Sequence, residues 1–308
     1  MNGEAGVVPL RHRAFSFGRV WAIASGTLTQ LIRMKVFAFM AIFAVVLIGA
    51  SFAFADLKSE QELKMLKDVS FAAMQLFCML FAVAGTALLI PRDVEDRTIY
   101  TILCKPVSRL EYLLGKFLGM VLVLVMSLAA MDLLFTAILH LKQNAVIEQN
   151  IAELEYRRYT SQEDREKAAA EVVNLITTQG VGWNLQAGVA AILAKSVVLT
   201  AVTLLMSTFA TSTLFTIMAS LAMMVIGHAQ ALAREVLLGE SGGGVLPRLV
   251  AGAVAILFPD FKTFDLLDAV ITGVVIPGVE VLKMGGLCAV YCVVYLLAAW
   301  ILFAEKEL

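Results

Sequence analysis

Several uninterrupted apolar stretches of about 20 residues constrain this chain more than any other feature of its sequence. A helix of that length crosses a hydrocarbon core about 30 Å thick. Inside such a core the backbone must satisfy its own hydrogen bonds, which a helix does. The composition agrees, because 60% of the 308 residues are hydrophobic and only 16% are charged. The sequence therefore predicts an all-α, polytopic membrane protein.

Six membrane-spanning helices are predicted, with polar segments between them. The predicted spans are residues 36–55, 71–90, 117–141, 186–206, 214–233 and 286–304. Residues 142–185 are polar and are expected to form an external helical hairpin. Residues 245–280 are apolar but are interrupted by charges and by Pro247, Pro259 and Pro277. We expect this stretch to form short helices that re-enter the outer membrane surface, protected by surrounding protein.

A basic leader, residues 1–35, precedes the six-span membrane domain at 36–308. Apolar and polar side chains alternate roughly with a helical period over residues 15–35. This pattern predicts an amphipathic helix lying in the membrane interface; the alternative is a plain basic leader. Lys and Arg are frequent both here and in residues 91–116. Because positively charged segments remain cytoplasmic, we expect both segments and both termini on the cytoplasmic side.

The segment 91–116, here called the elbow, is more structured than a simple turn between spans. It reads PRDVEDRTIYTILCKPVSRLEYLLGK, with a charged run, a break at Pro106 and then a second helical pattern. Ser108 with Glu111 three residues later is a capping box, which starts a helix by satisfying its free amides. The elbow is therefore predicted to be a helix, a turn and a second helix. An ordinary basic cytoplasmic loop is the alternative.

Three stretches of the elbow resemble a known family. Glu95-Asp96-Arg97-Thr98-Ile99, Lys105-Pro106-Val107-Ser108-Arg109 and Tyr112-Leu113-Leu114-Gly115-Lys116 resemble the region between spans two and three of ABC-2 type transporter permeases. The nearest group is the permeases associated with multi-copper enzyme maturation and gliding. The resemblance implies a coupling helix seated in a separate ATPase subunit. The contact residues that it implies are Glu95, Asp96, Arg97, Thr98, Lys105, Pro106 and Arg109.

The partners follow from this resemblance and from a motif that the sequence lacks. No G-x-x-x-x-G-K-[ST] phosphate loop occurs, so the chain is not expected to be an enzyme, and ATP with Mg²⁺ would be bound by an ABC ATPase partner. A second permease copy or a paralogue would complete a two-fold unit in a bacterial inner membrane, working as an exporter. A non-transporting scaffold for an ATPase and a secondary transporter are the alternatives. The net charge of −1 gives no sign of nucleic-acid binding.

Few residues within the spans carry chemistry. No nucleophile lies near a base, so no catalytic residue is predicted, and Cys288 with Cys292 is too small a set for a metal site. Charged residues inside spans are costly and face the bundle interior. Asp132 and Lys195 are placed at similar depths in the third and fourth predicted spans. We expect them to pair with each other, chiefly to hold the bundle together, with a substrate or proton role as the alternative.

Overall fold

The computed structural model describes residues 15–33, 36–53, 59–95, 107–156, 162–210, 212–238 and 258–305. Over these ranges the chain forms α-helices and one 3₁₀ turn, and the described residues contain no strand. The elements are α1 (Phe17–Ile32), α2 (Val36–Ala53), α3 (Ser59–Ala87), α4 (Leu89–Glu95), α5 (Arg109–Tyr156), α6 (Gln162–Gln179), α7 (Trp183–Phe209), α8 (Thr213–Leu238), the 3₁₀ turn (Phe261–Phe264), α9 (Leu267–Thr272) and α10 (Gly278–Glu305).

The predicted all-α membrane architecture is confirmed. Five helices in the described ranges are long and apolar enough to cross a membrane. Their apolar stretches are Gln61–Pro91, Arg109–Ala152, Trp183–Phe209, Thr213–Gln230 and Gly278–Ala304. The first predicted span corresponds to α2. Within this helix, Ala41–Ala50 forms an apolar stretch that is shorter than those of the other five helices.

The bundle is built around α7, which contacts α3, α5, α8 and α10. Its residues are mostly buried, whereas the apolar faces of α8 and α10 are largely exposed. A water-soluble protein would bury such faces, but a lipid-facing helix does not need to. The core between α3 and α5 includes the rings of Phe71 and Phe135, whose centroids are 5.4 Å apart in an edge-to-face arrangement.

The two ends of the bundle differ in character. At the elbow end, α4, α5, α7 and α10 meet in a small apolar cluster that includes Ile90, Tyr112, Leu204 and Phe303. At the opposite end, called the hairpin end, the distal turns of α5 pack against α6, as predicted for a helical hairpin. The helix α5 has 48 residues, which gives a length of about 72 Å. It therefore projects well beyond a hydrocarbon core of about 30 Å.

The helices α3 and α10 begin well before their predicted spans. The helix α3 starts at Ser59 and not near residue 71, because Leu63 and Leu66 continue its apolar face and are fully buried. The added turns of α3 are tied to α5 by an ion pair, with Lys142 Nζ 2.7 Å from Glu62 Oε1. The last helix, α10, starts at Gly278, eight residues before its predicted span.

The helix α1, for which the sequence predicts a position in the membrane interface, is held against another helix of the bundle. It packs along the start of α5, where a Cβ on Gly115 would lie 2.7 Å from Ile23 Cβ and one on Gly119 would lie 2.6 Å from Thr27 Cβ. Ile23 lies against Gly115, and Thr27, four residues later on α1, lies against Gly119, four residues later on α5. The two helices therefore run parallel to each other. The two glycines, four residues apart, allow this close approach. The amphipathic pattern of α1 thus serves helix packing as well as solvent exposure.

Residues 258–277, here called the cap, close the hairpin end with the 3₁₀ turn and α9. The cap lies within the stretch 245–280, whose re-entry into the membrane surface stays a prediction, and residues 245–257 of that stretch lie outside the described ranges. Phe261 and Phe264 of the cap are buried in the bundle. Asn184 of α7 holds the cap backbone: its side-chain amide donates to Val274 O at 2.9 Å, and its oxygen accepts from Ile276 N at 3.1 Å.

Candidate coupling site at the base of the elbow

The described part of the elbow is its base, which consists of α4 and the start of α5. Glu95 is the last residue of α4, and Arg109 is the first residue of α5. The other predicted contact residues, Asp96, Arg97, Thr98, Lys105 and Pro106, lie outside the described residues. The base therefore shows how the elbow is joined to the membrane helices.

The predicted capping box starts α5. Ser108 Oγ accepts from the Glu111 amide at 3.2 Å, and Glu111 Oε2 accepts from the Ser108 amide at 2.9 Å. Each side chain thus satisfies a backbone donor that the first helical turn leaves free. The exchange fixes where α5 begins within the elbow.

Glu111 also joins α1 to α5. Its side chain is fully buried, and Arg19 Nη2 lies 2.6 Å from Glu111 Oε1. The Ser16 amide donates to the same oxygen at 2.7 Å. A buried carboxylate is costly unless charge and hydrogen bonds compensate it, and here both do. The leader helix is consequently held to the first turn of α5.

A second buried polar cluster joins α4 to α5. Lys116 Nζ lies 2.7 Å from Asp93 Oδ2, and Tyr112 Oη donates to the same oxygen at 2.6 Å. Asp93, Tyr112 and Lys116 are 6%, 0% and 4% exposed. Lys116 also lies 5.7 Å from the centroid of the Tyr112 ring. Because the Asp93–Lys116 ion pair is shielded from water, the two opposite charges attract each other strongly. Removal of either residue would leave the other charge buried without a partner, which would lower the stability of the protein.

Arg109 joins the start of α5 to the end of α10. Its Nη1 donates to the Phe303 and Ala304 carbonyls, the second at 2.9 Å. Its guanidinium lies 5.7 Å from the Phe303 ring centroid, and this ring stacks on Tyr112 with centroids 5.9 Å apart. The last carbonyls of a helix have no partner within it and attract cations. Arg109 thus has a contact within the chain at the elbow end.

The expected pair of Asp132 and Lys195 is not formed. Asp132 Oδ2 accepts instead from the Gln186 side chain at 3.1 Å. Gln186 is nine residues before Lys195 on α7, which is a rise of about 13 Å. The predicted span boundaries place Asp132 and Lys195 at similar depths. In the structure, α5 and α7 are shifted along their axes relative to that prediction, so Asp132 lies beside Gln186. Lys195 is nevertheless buried, at 2% exposed.

The comparison with protein families agrees with this architecture. A family profile described as an ABC-2 family transporter protein matches residues 21–242. That is more than two thirds of the chain. The chain belongs to the ABC-2 transporter family. This ABC-2 protein is a multi-pass membrane permease subunit.

The matched range contains both halves of the elbow base and most of α1. The cap and α10 lie beyond it. No curated protein gives a significant match to the chain.

Sequence patterns predict only part of the elbow base of this ABC-2 protein. They indicate Ser108, Glu111 and Arg109, but they do not bring Asp93, Tyr112 and Lys116 together as one cluster. Tyr112 and Lys116 are four residues apart and therefore share a helix face. The sequence therefore indicates that Tyr112 and Lys116 are neighbours. Their partner Asp93 is on α4, and no sequence spacing indicates that it contacts them.

Proposed function

We propose that this chain is the membrane subunit of an ATP-driven exporter, and that a separate ABC ATPase docks on the elbow and supplies the energy. The observation that supports this most is the way the base of the elbow joins several helices at once. Glu111 binds α1, Asp93 binds α5, and Arg109 binds the end of α10. A displacement of the elbow would move these helices together.

In this proposal the nucleotide chemistry belongs to the partner. The chain has no phosphate loop, so ATP and Mg²⁺ would be held by the ATPase. The docking surface would be provided by the predicted contact residues Glu95, Asp96, Arg97, Thr98, Lys105 and Pro106. Closure of two ATPase subunits would push on the elbow and change the tilt of α5 relative to α10.

The working unit would contain two permease chains, either two copies or this chain and a paralogue. Closed two-fold symmetry is the usual arrangement for such pairs, and the exposed apolar faces of α8 and α10 offer surface for it. The elbow end and both termini would be cytoplasmic, in a bacterial inner membrane. The lysines and arginines of the leader and elbow support this orientation.

The experiment distinguishes docking of the ATPase on the elbow from transmission of its movement to the membrane helices. Arg97→Glu reverses a charge on the proposed docking surface and should reduce co-purification with the ATPase. Arg109→Ala removes the bond to α10 and should leave co-purification intact while lowering the ATPase activity that the permease stimulates. The matched control is Lys167→Glu, since Lys167 lies on the exposed face of the hairpin.

Two results would count against the proposal. The first is unchanged ATPase binding and stimulation in Arg97→Glu. The second is nucleotide binding by the purified permease alone. Membrane levels of each variant are measured in parallel, because the proposal requires Arg97→Glu to fold and insert normally.

A further inference from the structure

A groove between α3 and α8, here called the α3–α8 groove, opens on the apolar surface of the bundle. It has a volume of about 570 Å³, and most of its walls are apolar side chains, among them Leu76, Met79, Leu80, Leu221, Met224 and Val225. Leu76, Leu80 and Val225 are exposed, so the groove is open to whatever surrounds the bundle. A volume of this size is typical of sites that bind small molecules.

The two ends of the α3–α8 groove differ in polarity. Among the described residues that line it, Gln75 of α3 and His228 of α8 are polar. The helix α3 runs from the hairpin end to the elbow end, and α8 runs in the opposite direction. Gln75 precedes Leu80 on α3, and His228 follows Leu221 on α8, so both polar side chains lie toward the hairpin end. The rest of the groove, toward the elbow end, is apolar.

The ring of His228 is held in a defined position. Its Nδ1 donates to Met224 O at 2.9 Å. A carbonyl oxygen only accepts, so Nδ1 carries the proton, and in the neutral ring Nε2 is left as an acceptor. The ring also stacks on Phe261 of the cap, with centroids 5.3 Å apart. Next to it, a Cβ on Gly227 would lie 2.6 Å from the Pro259 carbonyl oxygen, so α8 closely approaches the cap at this point.

The polar groups of the groove lack hydrogen-bond partners within the described part of the chain. His228 makes no bond there beyond that to Met224, and Gln75 makes none. A polar group in apolar surroundings costs free energy unless it is hydrogen-bonded. No described lining residue carries a fixed charge, so a charged head group would find no counter-charge. A neutral hydroxyl can donate to Nε2 and can also pair with a carboxamide.

We propose that the α3–α8 groove binds a neutral lipid, an alkyl chain that ends in a hydroxyl-bearing head group such as glycerol. The chain lies along the apolar walls toward the elbow end, and the hydroxyls lie between Gln75 and His228. The apolar contacts supply most of the affinity, because burial of alkyl surface is favourable. The two polar side chains supply the preference for a hydroxyl over other head groups. This site does not depend on the ATPase coupling proposed above.

The opposite side of α3 provides an internal comparison. A second groove, between α2 and α3, has a similar volume of about 560 Å³, but its described lining residues are all apolar. It offers an alkyl chain the same kind of surface and offers a hydroxyl no partner. Ala72 lines the α3–α8 groove and Ala84 lines the second groove, and both alanines are exposed.

Binding is measured on the purified full chain in micelles of a nonionic detergent, without any ATPase. A ligand that binds the folded state raises the unfolding temperature. The probes are 1-oleoylglycerol, the same lipid with both hydroxyls methylated, and sodium oleate at alkaline pH. Wild type should bind 1-oleoylglycerol about threefold to tenfold more tightly than the methylated lipid, because only the hydroxyls donate hydrogen bonds. Oleate should bind more weakly than 1-oleoylglycerol, since its carboxylate meets no cation in the groove.

Two variants remove one polar group each and keep its shape. His228→Phe retains a ring against Phe261, and Gln75→Met retains the length of the side chain. Both should lose most of the preference for 1-oleoylglycerol while binding the methylated lipid as wild type does. Gln75→Met leaves the contacts of His228 intact, so it decides the question even if His228→Phe does not fold.

A third variant tests where the chain of the lipid lies. Ala72→Phe places a ring in the α3–α8 groove and should abolish binding of both oleoyl lipids. The matched control is Ala84→Phe, which fills the second groove and should bind 1-oleoylglycerol as wild type does.

Several results would overturn the assignment. These are equal affinity of wild type for the two oleoyl lipids, tighter binding of oleate, full preference in Gln75→Met, and binding by Ala72→Phe as tight as in wild type. An absence of lipid binding, together with a changed oligomeric state in Ala72→Phe, would show that a second copy of the chain covers the groove. Since no ATPase is present, none of these outcomes depends on whether the elbow docks one.

Discussion

At the scale of single residues, the elbow base shows how a membrane protein keeps charges buried. Asp93 receives both an ammonium and a hydroxyl on one oxygen. Glu111 receives a guanidinium and two backbone amides. Each carboxylate is compensated by neighbours on a different element, so the compensation also joins elements. Removing one partner would therefore affect both local stability and the relative placement of helices.

Lys116→Gln should destabilise the protein strongly. It leaves Asp93 buried with Tyr112 but without its cation, and we expect a loss of about 3–5 kcal/mol in the free energy of unfolding. The measurement is denaturant unfolding in detergent micelles. Lys167→Gln is the control, because its pair with Glu163 is exposed, with side chains 71% and 74% accessible; its loss should be below about 0.5 kcal/mol. If the two substitutions lowered the free energy of unfolding equally, burial of the Asp93–Lys116 pair would not be the source of its stabilising effect.

At the scale of elements, the contact between α1 and α5 depends on small residues. A Cβ on Gly119 would lie 2.8 Å from the Ala24 carbonyl oxygen as well as against Thr27. Backbone cannot move away as a flexible side chain can, so the helices would have to separate. By contrast, Gly26 on α1 has open space around it.

Gly119→Ala should displace α1, and Gly26→Ala should not. The first substitution overpacks the contact and is expected to cost about 1–3 kcal/mol. The second should stabilise α1 slightly, since alanine favours helix over glycine by about 1 kcal/mol. Limited trypsin digestion after Arg19, together with the unfolding temperature, measures both effects. A Gly119→Ala protein as resistant to cleavage as wild type would show that α1 does not need this close contact.

At the scale of the whole molecule, the two ends of the bundle differ in structure. At the elbow end, buried charge pairs join α1 and α4 to α5, and Arg109 joins α5 to α10. The hairpin end carries the projecting turns of α5, the helix α6 and the cap. In the proposed function, the elbow end would receive force from the ATPase.

The proposed orientation of the bundle, with the elbow end in the cytoplasm, predicts opposite labelling of its two ends. A cysteine introduced at Glu163 of α6 should react with a membrane-impermeant maleimide in intact cells. One introduced at Phe15, which is 57% exposed near the elbow end, should react only in inverted vesicles. Both are placed in a Cys104→Ser background, because Cys104 lies in the elbow itself. The reverse pattern of labelling would place the elbow outside and remove the basis for ATPase docking.

The sequence by itself determined the class of fold, the helical hairpin and the capping box at Ser108. These depend on local properties: apolar length, helical period and spacing within one turn. Local patterns act through neighbours along the chain, so they can be read without knowing how helices pack.

Only the tertiary structure decided which charged residues meet. The expected pairing of Asp132 with Lys195 assumed a register between two helices, and packing shifted that register so that Asp132 meets Gln186. Likewise, Asp93 and Lys116 lie near opposite ends of the elbow sequence but form an ion pair, and α1 aligns with α5 through Gly115 and Gly119. Contacts between helices depend on their relative depth and rotation, and both are set by the packing of the whole bundle.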